Sequence, residues 1–327
     1  MSRATGIVTG IVAAILFGAN GSLTKVVIEA GLTPLQVTLF RSLGTCVLAG
    51  LALLLMDRGA FRITWRRLGA MALLGIVGIA LMQATYAGAI SLLPVGIALL
   101  LEYLAVLVVA VFARLVYRER VRPQVWVAIA LVLGGLAIVA RIWDSHLDAL
   151  GVVLALAAAV FLAFYLLYGE RQTAATSPMA VLFWGCGFSS IFWFAFSGWW
   201  DIDPAAFTTA VSMRGALDGL VVPLWVPLVA VLVLGSFLPF LLSFLALVRL
   251  KATTAGILAS SEIVFAFAVA WLWLGETLDV PQLLGAAVVV LGIVLAQTAR
   301  PGSVVEADLA LPPTGPIPRV SPERPST

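Results

Sequence analysis

Two glutamates, Glu102 and Glu262, sit inside otherwise apolar stretches 160 residues apart. A carboxylate surrounded by hydrocarbon side chains is suited to two tasks, holding an amine or carrying a proton. Downstream of Glu102 come Glu119, Pro123-Gln124 and Gly134; downstream of Glu262 come Glu276, Pro281-Gln282 and Gly292, at offsets of 157 to 160 residues. A pattern that returns at a fixed interval marks an internal duplication. In a very apolar chain, that points to a transporter built from two related bundles with its site between them.

Arg41 is the natural companion of Glu102. It lies eight residues beyond Thr33, as Glu102 lies eight beyond Pro94, which puts both roughly 12 Å down helices running in the same direction. A charge near mid-membrane costs about 2.5–3.5 kcal/mol on insertion scales, and pairing two of them is cheaper than burying each alone. The other reading of Glu102 is structural, a glutamate held by Arg41 or hydroxyls to lock helix packing. Glu262, flanked by Ser260 and Ser261, has no matching arginine and leans to that structural role.

Weaker polar signals surround these. Asn20, Ser22 and Thr24 follow Gly18, with Gly21 among them, a stretch able to line a cavity or unwind locally. Gln83, Thr85 and Tyr86, with Tyr165 and Tyr168, could face the same cavity. Pro239 follows Gly235 and Ser236 and predicts a kink or gate. Lys25, near a helix end, is expected to snorkel, and several tryptophans serve as interface anchors. The substrate or proton pathway is thus assigned to Glu102, Arg41, Asn20, Tyr86 and Glu262.

Other chemistries lack their residues. Cys46, Cys186 and His146 are too few for a disulfide framework or a metal cluster. The two lysines, Lys25 and Lys251, follow Thr24 and Leu250, so no Gly-Lys-Ser/Thr phosphate loop exists. Neither a Gly-x-Ser-x-Gly elbow nor a His-Glu-x-x-His motif appears. No catalytic, cofactor or metal site is expected, the protein is read as no enzyme, and a gradient remains as the energy source.

The elements that must position these residues follow from composition. Hydrophobic residues make up 62%, charged residues 11%, and mean hydropathy is +1.13, too little charge to wet a soluble surface. The net charge of +3 is too small and scattered for nucleic acid. Apolar runs fall at 5–28, 33–56, 67–91, 94–114, 122–141, 149–170, 178–200, 223–248, 252–275 and 281–299, each near the ~20 residues that cross a bilayer. Pro34, Pro94, Pro123, Pro178 and Pro281 stand at first turns, where a missing N–H costs nothing.

With the N-terminus inside, 15 of the 19 Lys and Arg fall in cytoplasmic segments, as the positive-inside bias requires. The turn Arg118-Glu119-Arg120-Val121-Arg122 becomes Gly275-Glu276-Thr277-Leu278-Asp279 in the second copy, with every basic residue gone. Five helices per half invert the second copy, so its turn faces outward. The expected fold is an all-α polytopic membrane protein of ten transmembrane helices in two inverted five-helix repeats, 1–146 and 147–299. A disordered Pro-rich cytoplasmic tail, 300–327, follows, and both termini are cytoplasmic.

Pro94–Pro123 and Leu250–Leu295, above all Leu274-Gly275-Glu276-Thr277-Leu278 with Pro281-Gln282-Leu283-Leu284-Gly285, resemble the EamA family of the drug/metabolite transporter superfamily. Pro94-Val95-Gly96-Ile97-Ala98, Leu101-Glu102-Tyr103, Leu238-Pro239-Phe240 and Ala246-Leu247-Val248-Arg249-Leu250 look most like its threonine/homoserine exporter branch. The resemblance implies ten helices in inverted repeats, the bacterial inner membrane, and outward movement of amino acids or related small metabolites. Helices one to four and six to nine would enclose a central cavity. The expected partners are a small-molecule substrate, the lipid bilayer and protons, with no nucleic acid, in a monomer or dimer. A nucleotide-sugar or drug carrier of the same superfamily, or a non-transporting membrane protein, are the alternatives. In one departure, no proline follows Glu102 or Glu262 to break the helix, as one often does in the family.

Overall fold

Mean hydropathy this high forces backbone hydrogen bonds to close within segments, and the computed structural model is accordingly helical almost throughout. It describes residues 3–105, 107–109, 123–139, 147–247, 252–277 and 279–298. Helices are numbered in chain order over those residues: α1 Arg3–Glu29, α2 Pro34–Met56, α3 Trp65–Leu92, α4 Val95–Glu102, α5 Pro123–Val139, α6 Ala149–Ala175, α7 Pro178–Phe196, α8 225–247, α9 252–274 and α10 Val280–Thr298. Six stretches among the described residues are long and apolar enough to cross a membrane: Ala4–Glu29, Pro34–Met56, Trp65–Leu92, Ala149–Thr173, Pro178–Phe196 and Trp225–Ser243. The chain is an all-α polytopic membrane protein. Glu119 with its basic neighbours, His146 and the proline-rich tail lie outside the described residues.

Helix starts follow local chemistry. Thr33 and Gln36 form a reciprocal capping box before α2, at 3.2 and 2.9 Å, with Pro34 in the first turn. Asp148 caps α6 through Gly151 N at 2.8 Å, and Ser177 caps α7. Along α2 the usual polarity is reversed. Leu43, Val47, Leu51 and Leu54 are exposed at helical spacing, whereas Thr38, Arg41, Ser42 and Thr45 are buried. Lipid is the solvent for the apolar face, so the polar face turns inward.

Small residues set the helix contacts. A side chain at Gly18 would run into the backbone of α9 at Glu262 and Ala266, and one at Gly96 into the Phe267 ring. Gly135 lies against the Gly285 carbonyl and Gly292 against the Ala128 carbonyl, so α5 and α10 cross antiparallel.

Three helices carry π turns, Leu74–Leu81 in α3, Val233–Phe237 in α8 and Ala270–Leu274 at the end of α9. Inside the π stretch of α3, Ala80 O accepts a hydrogen bond from Trp193 Nε1 of α7 at 3.3 Å. Between α7 and α8 the chain builds a cap that the hydropathy pattern does not reveal. In it the two-stranded antiparallel hairpin of β1 (Ala210–Ser212) and β2 (Val221–Pro223) is flanked by short 3₁₀ turns. Met213 and Leu224 from this cap join Leu23, Val26, Val27, Val37 and Leu228 in one apolar cluster.

Candidate functional site

Arg41 is 6% exposed near the middle of α2, and its position depends on a defect in α8. Pro239 has no N–H to give the carbonyl one turn back, that of Gly235. With its amide oriented so that the nitrogen faces the Gly235 carbonyl and the oxygen faces Arg41, Asn20 takes the place of that donor, giving Nδ2 to Gly235 O at 3.2 Å and accepting Arg41 Nη2 through its oxygen at 3.1 Å. Arg41 Nε donates to Ser236 Oγ at 3.0 Å, from inside the π turn. The sequence Gly235-Ser236-…-Pro239 therefore both opens the helix and furnishes the groups that hold the guanidinium. Gly235 must lack a side chain, because a Cβ there would overlap the Asn20 amide. The remaining nitrogen, Nη1, is buried and has no hydrogen-bond partner among the described residues.

Glu102 is 7% exposed, at the last position of α4. Helix geometry changes immediately after it. Leu104 N bonds to Leu101 O at 3.1 Å, a three-residue rather than four-residue step, and the backbone turns at Tyr103 and Leu104 before helical bonding resumes. The break thus occurs without a proline. No such break occurs at Glu262, which lies inside the uninterrupted Ala252–Val269.

The carboxylate of Glu102 has no hydrogen-bond partner among the described residues, and no guanidinium nitrogen of Arg41 comes within 4.0 Å of it. Arg41 and Glu102 share the interior and act on each other through space, while the direct polar contacts of Arg41 are with Asn20 and Ser236. Glu262 finds its partner on the other half of the chain, where Tyr103 Oη donates to Glu262 Oε2 at 2.6 Å. The two glutamates are within electrostatic reach of each other, bridged by the residue next to Glu102.

Tyr86 is buried on α3, with its hydroxyl close to the α carbon of Gly21 on α1. Gln83, one turn earlier, is buried, and neither its Oε1 nor Ser22 Oγ on α1 has a partner among the described residues. Ser42 and Ser189 share a hydrogen bond of 2.7 Å between α2 and α7. The stretch from Gly18 to Thr24 does not unwind; α1 is continuous from Arg3 to Glu29. Tyr165 belongs to the packing around Met71 and Cys186, and Tyr168 stacks on Phe164. Lys25 Nζ meets Glu276 Oε1 at 2.7 Å. Tyr103, Ser236 and the Lys25 pair are additions that a reading of the sequence alone misses.

The EamA-like transporter family model matches residues 4–141 and 149–298. The threonine/homoserine exporter RhtA of Escherichia coli (strain K12) is 34% identical over 200 residues, 60% of this chain and 60% of that protein. Its counterpart in Salmonella typhimurium (strain LT2) is 33% identical over the same length and shares. The chain therefore aligns with about three-fifths of the length of these curated relatives. A solved crystal structure superposes with a TM-score of 0.58 at 18% identity, covering 90% of this chain and 97% of that one, which supports the fold alone.

Proposed function

The chain belongs to the EamA-like transporter family, and from that premise we propose that it is a secondary active exporter of amino acids or related small metabolites. It is a transporter and not an enzyme. In our reading it works by alternating access in the bacterial inner membrane, with both termini cytoplasmic and export driven by inward proton movement.

The carrying observation is Arg41. A buried guanidinium is fixed on two sides by Asn20 and Ser236 while Nη1 has no partner among the described residues. An unsatisfied buried donor costs about 1–3 kcal/mol, and a carboxylate is the group a guanidinium binds best. Glu102, buried and free of hydrogen bonds among the described residues, is the complementary seat for an amine or a proton. A zwitterion would satisfy both. The similarity to exporters of threonine and homoserine agrees with that substrate class. A diphosphate-bearing nucleotide sugar would call for more positive charge than Arg41 supplies, since Lys25 is already paired with Glu276.

Ten spans in two inverted repeats, 1–146 and 147–299, form the scaffold of this reading. Two features support it. The π turn of α8 falls, one repeat length back, inside the π stretch of α3. The reciprocal Gly135–Gly285 and Ala128–Gly292 contacts are what a two-fold axis lying in the membrane plane would produce between α5 and α10.

The test is counterflow and pH-driven flux in proteoliposomes with labelled threonine, homoserine and other amino acids. Uptake that is saturable and that Arg41→Lys lowers at least tenfold supports the reading. Lack of counterflow by any amino acid, with folded protein in the vesicles, overturns it.

A further inference from the structure

The Lys25–Glu276 pair lies at the end of the molecule away from the Arg58-Gly59-Ala60-Phe61 turn, and nothing in the substrate site requires it. Its geometry is built. Helix α9 ends in its π turn, closed by Gly275 at φ +70 with Glu276 N bonded to Ala270 O at 3.2 Å. That turn fixes the direction of the Glu276 side chain, and glycine is needed for its left-handed step. One oxygen then meets Lys25 Nζ of α1 at 2.7 Å, while the other accepts Val95 N at 2.9 Å. Val95 N is one of the donors that a helix start leaves unsatisfied, and the carboxylate complements the positive end of α4. A single side chain thus ties together α1, α4 and the α9–α10 turn.

Two further ties cross the same end. The Arg214 Nε to Glu29 Oε2 pair, at 3.1 Å, holds the hairpin cap to the last residue of α1. Trp273 Nε1 donates to Met213 O at 2.9 Å, with Gly215 packed on the Trp273 backbone. The Arg214 pair is the more exposed of the two ion pairs and is screened by water.

We infer that Lys25 and Glu276 form a latch that keeps the outer face of the transport pathway closed and must part for that face to open. The side chains of the pair are 19% and 16% exposed. They are dry enough for the attraction to matter and wet enough for each charge to be resolvated when they separate. Both charged groups sit within one turn of a helix end, so parting them requires α1 to move against the α4 start and the α9 end, without unfolding any helix. The word outer rests on the cytoplasmic placement of the N-terminus proposed above.

The test uses the full chain in right-side-out membrane vesicles without substrate, so it does not depend on what is carried. Cys46 and Cys186 are replaced by alanine, and Ser22→Cys supplies a reporter one turn below Lys25, at a hydroxyl that is fully buried and unpartnered. A membrane-impermeant maleimide should label this reporter slowly in the parent and at least tenfold faster in Lys25→Ala. Lys25→Arg, which keeps the charge, should restore the slow rate and serves as the folding control. Equal rates in the parent and Lys25→Ala, with both eluting as folded monodisperse protein, overturn the latch. Faster labelling seen only in inverted vesicles overturns its assignment to the outer face.

Discussion

Arg41 makes a demand that lysine cannot meet. Its fork reaches Ser236 Oγ and the Asn20 oxygen while leaving Nη1 free, whereas a lysine ammonium is a single compact charge. Arg41→Lys should therefore keep the fold but lower counterflow at least tenfold. The check is flux set beside an unfolding temperature that moves by only a few degrees. Tyr103→Phe tests the opposite kind of contact. It deletes the donor at 2.6 Å from Glu262 and leaves a carboxylate short of a partner, a loss of about 1–3 kcal/mol. The expected result is a lower unfolding temperature in detergent, largely recovered by Tyr103→Phe combined with Glu262→Gln. Charges such as Arg41 and Glu102 announce themselves in an apolar stretch, because burial of a charge needs a reason. Tyr103 and Ser236 do not, since tyrosine and serine are ordinary in such helices and their partners stand 159 and 195 residues away.

At the scale of elements, the defect in α8 carries the site. Pro239→Ala restores a backbone donor that can reclaim the Gly235 carbonyl from Asn20. The helix should gain stability while transport falls, because Asn20 loses one of the two contacts that hold it against Arg41. An unfolding temperature equal to or above the parent's, with flux reduced severalfold, is the outcome to look for; flux and stability falling together would signal simple misfolding. Gly235→Ala reaches the same contact sterically and should lower both. A disturbance near Pro239 is legible because proline has a defined backbone cost, and the structure has the π turn Val233–Phe237 just before it. The break after Glu102 is not legible, since a single step from four-residue to three-residue bonding leaves no residue signature. The glycine and hydroxyl residues of Gly18–Thr24 suggested unwinding, yet their small size serves close packing of α1 against α9, α3 and α4.

For the whole molecule, inverted repeats make a demand on the two ends that can be tested. If the second half is the first turned over, the outer latch at Glu276 must have a counterpart at the cytoplasmic face. The sequence puts Glu119 at that place, one repeat length back, in a turn rich in arginine where the second copy has none. Alternating access requires that the two ends not be open together. Glu276→Gln should therefore raise modification of the Ser22→Cys reporter from outside, and Glu119→Gln should raise modification from the cytoplasmic side in inverted vesicles. Each change should leave the opposite face unaltered or slower. The α5–α10 crossing supplies the internal reference, because both halves contribute equally to it. Cysteines at the exposed positions Val127 of α5 and Leu291 of α10, neighbours of the Ala128–Gly292 contact, should be joined by a short bismaleimide at the same rate in all of these variants. A cross-linking rate that followed the latch mutations would mean that α5 and α10 move with the gate, and the inverted-repeat mechanism would then lose its fixed frame.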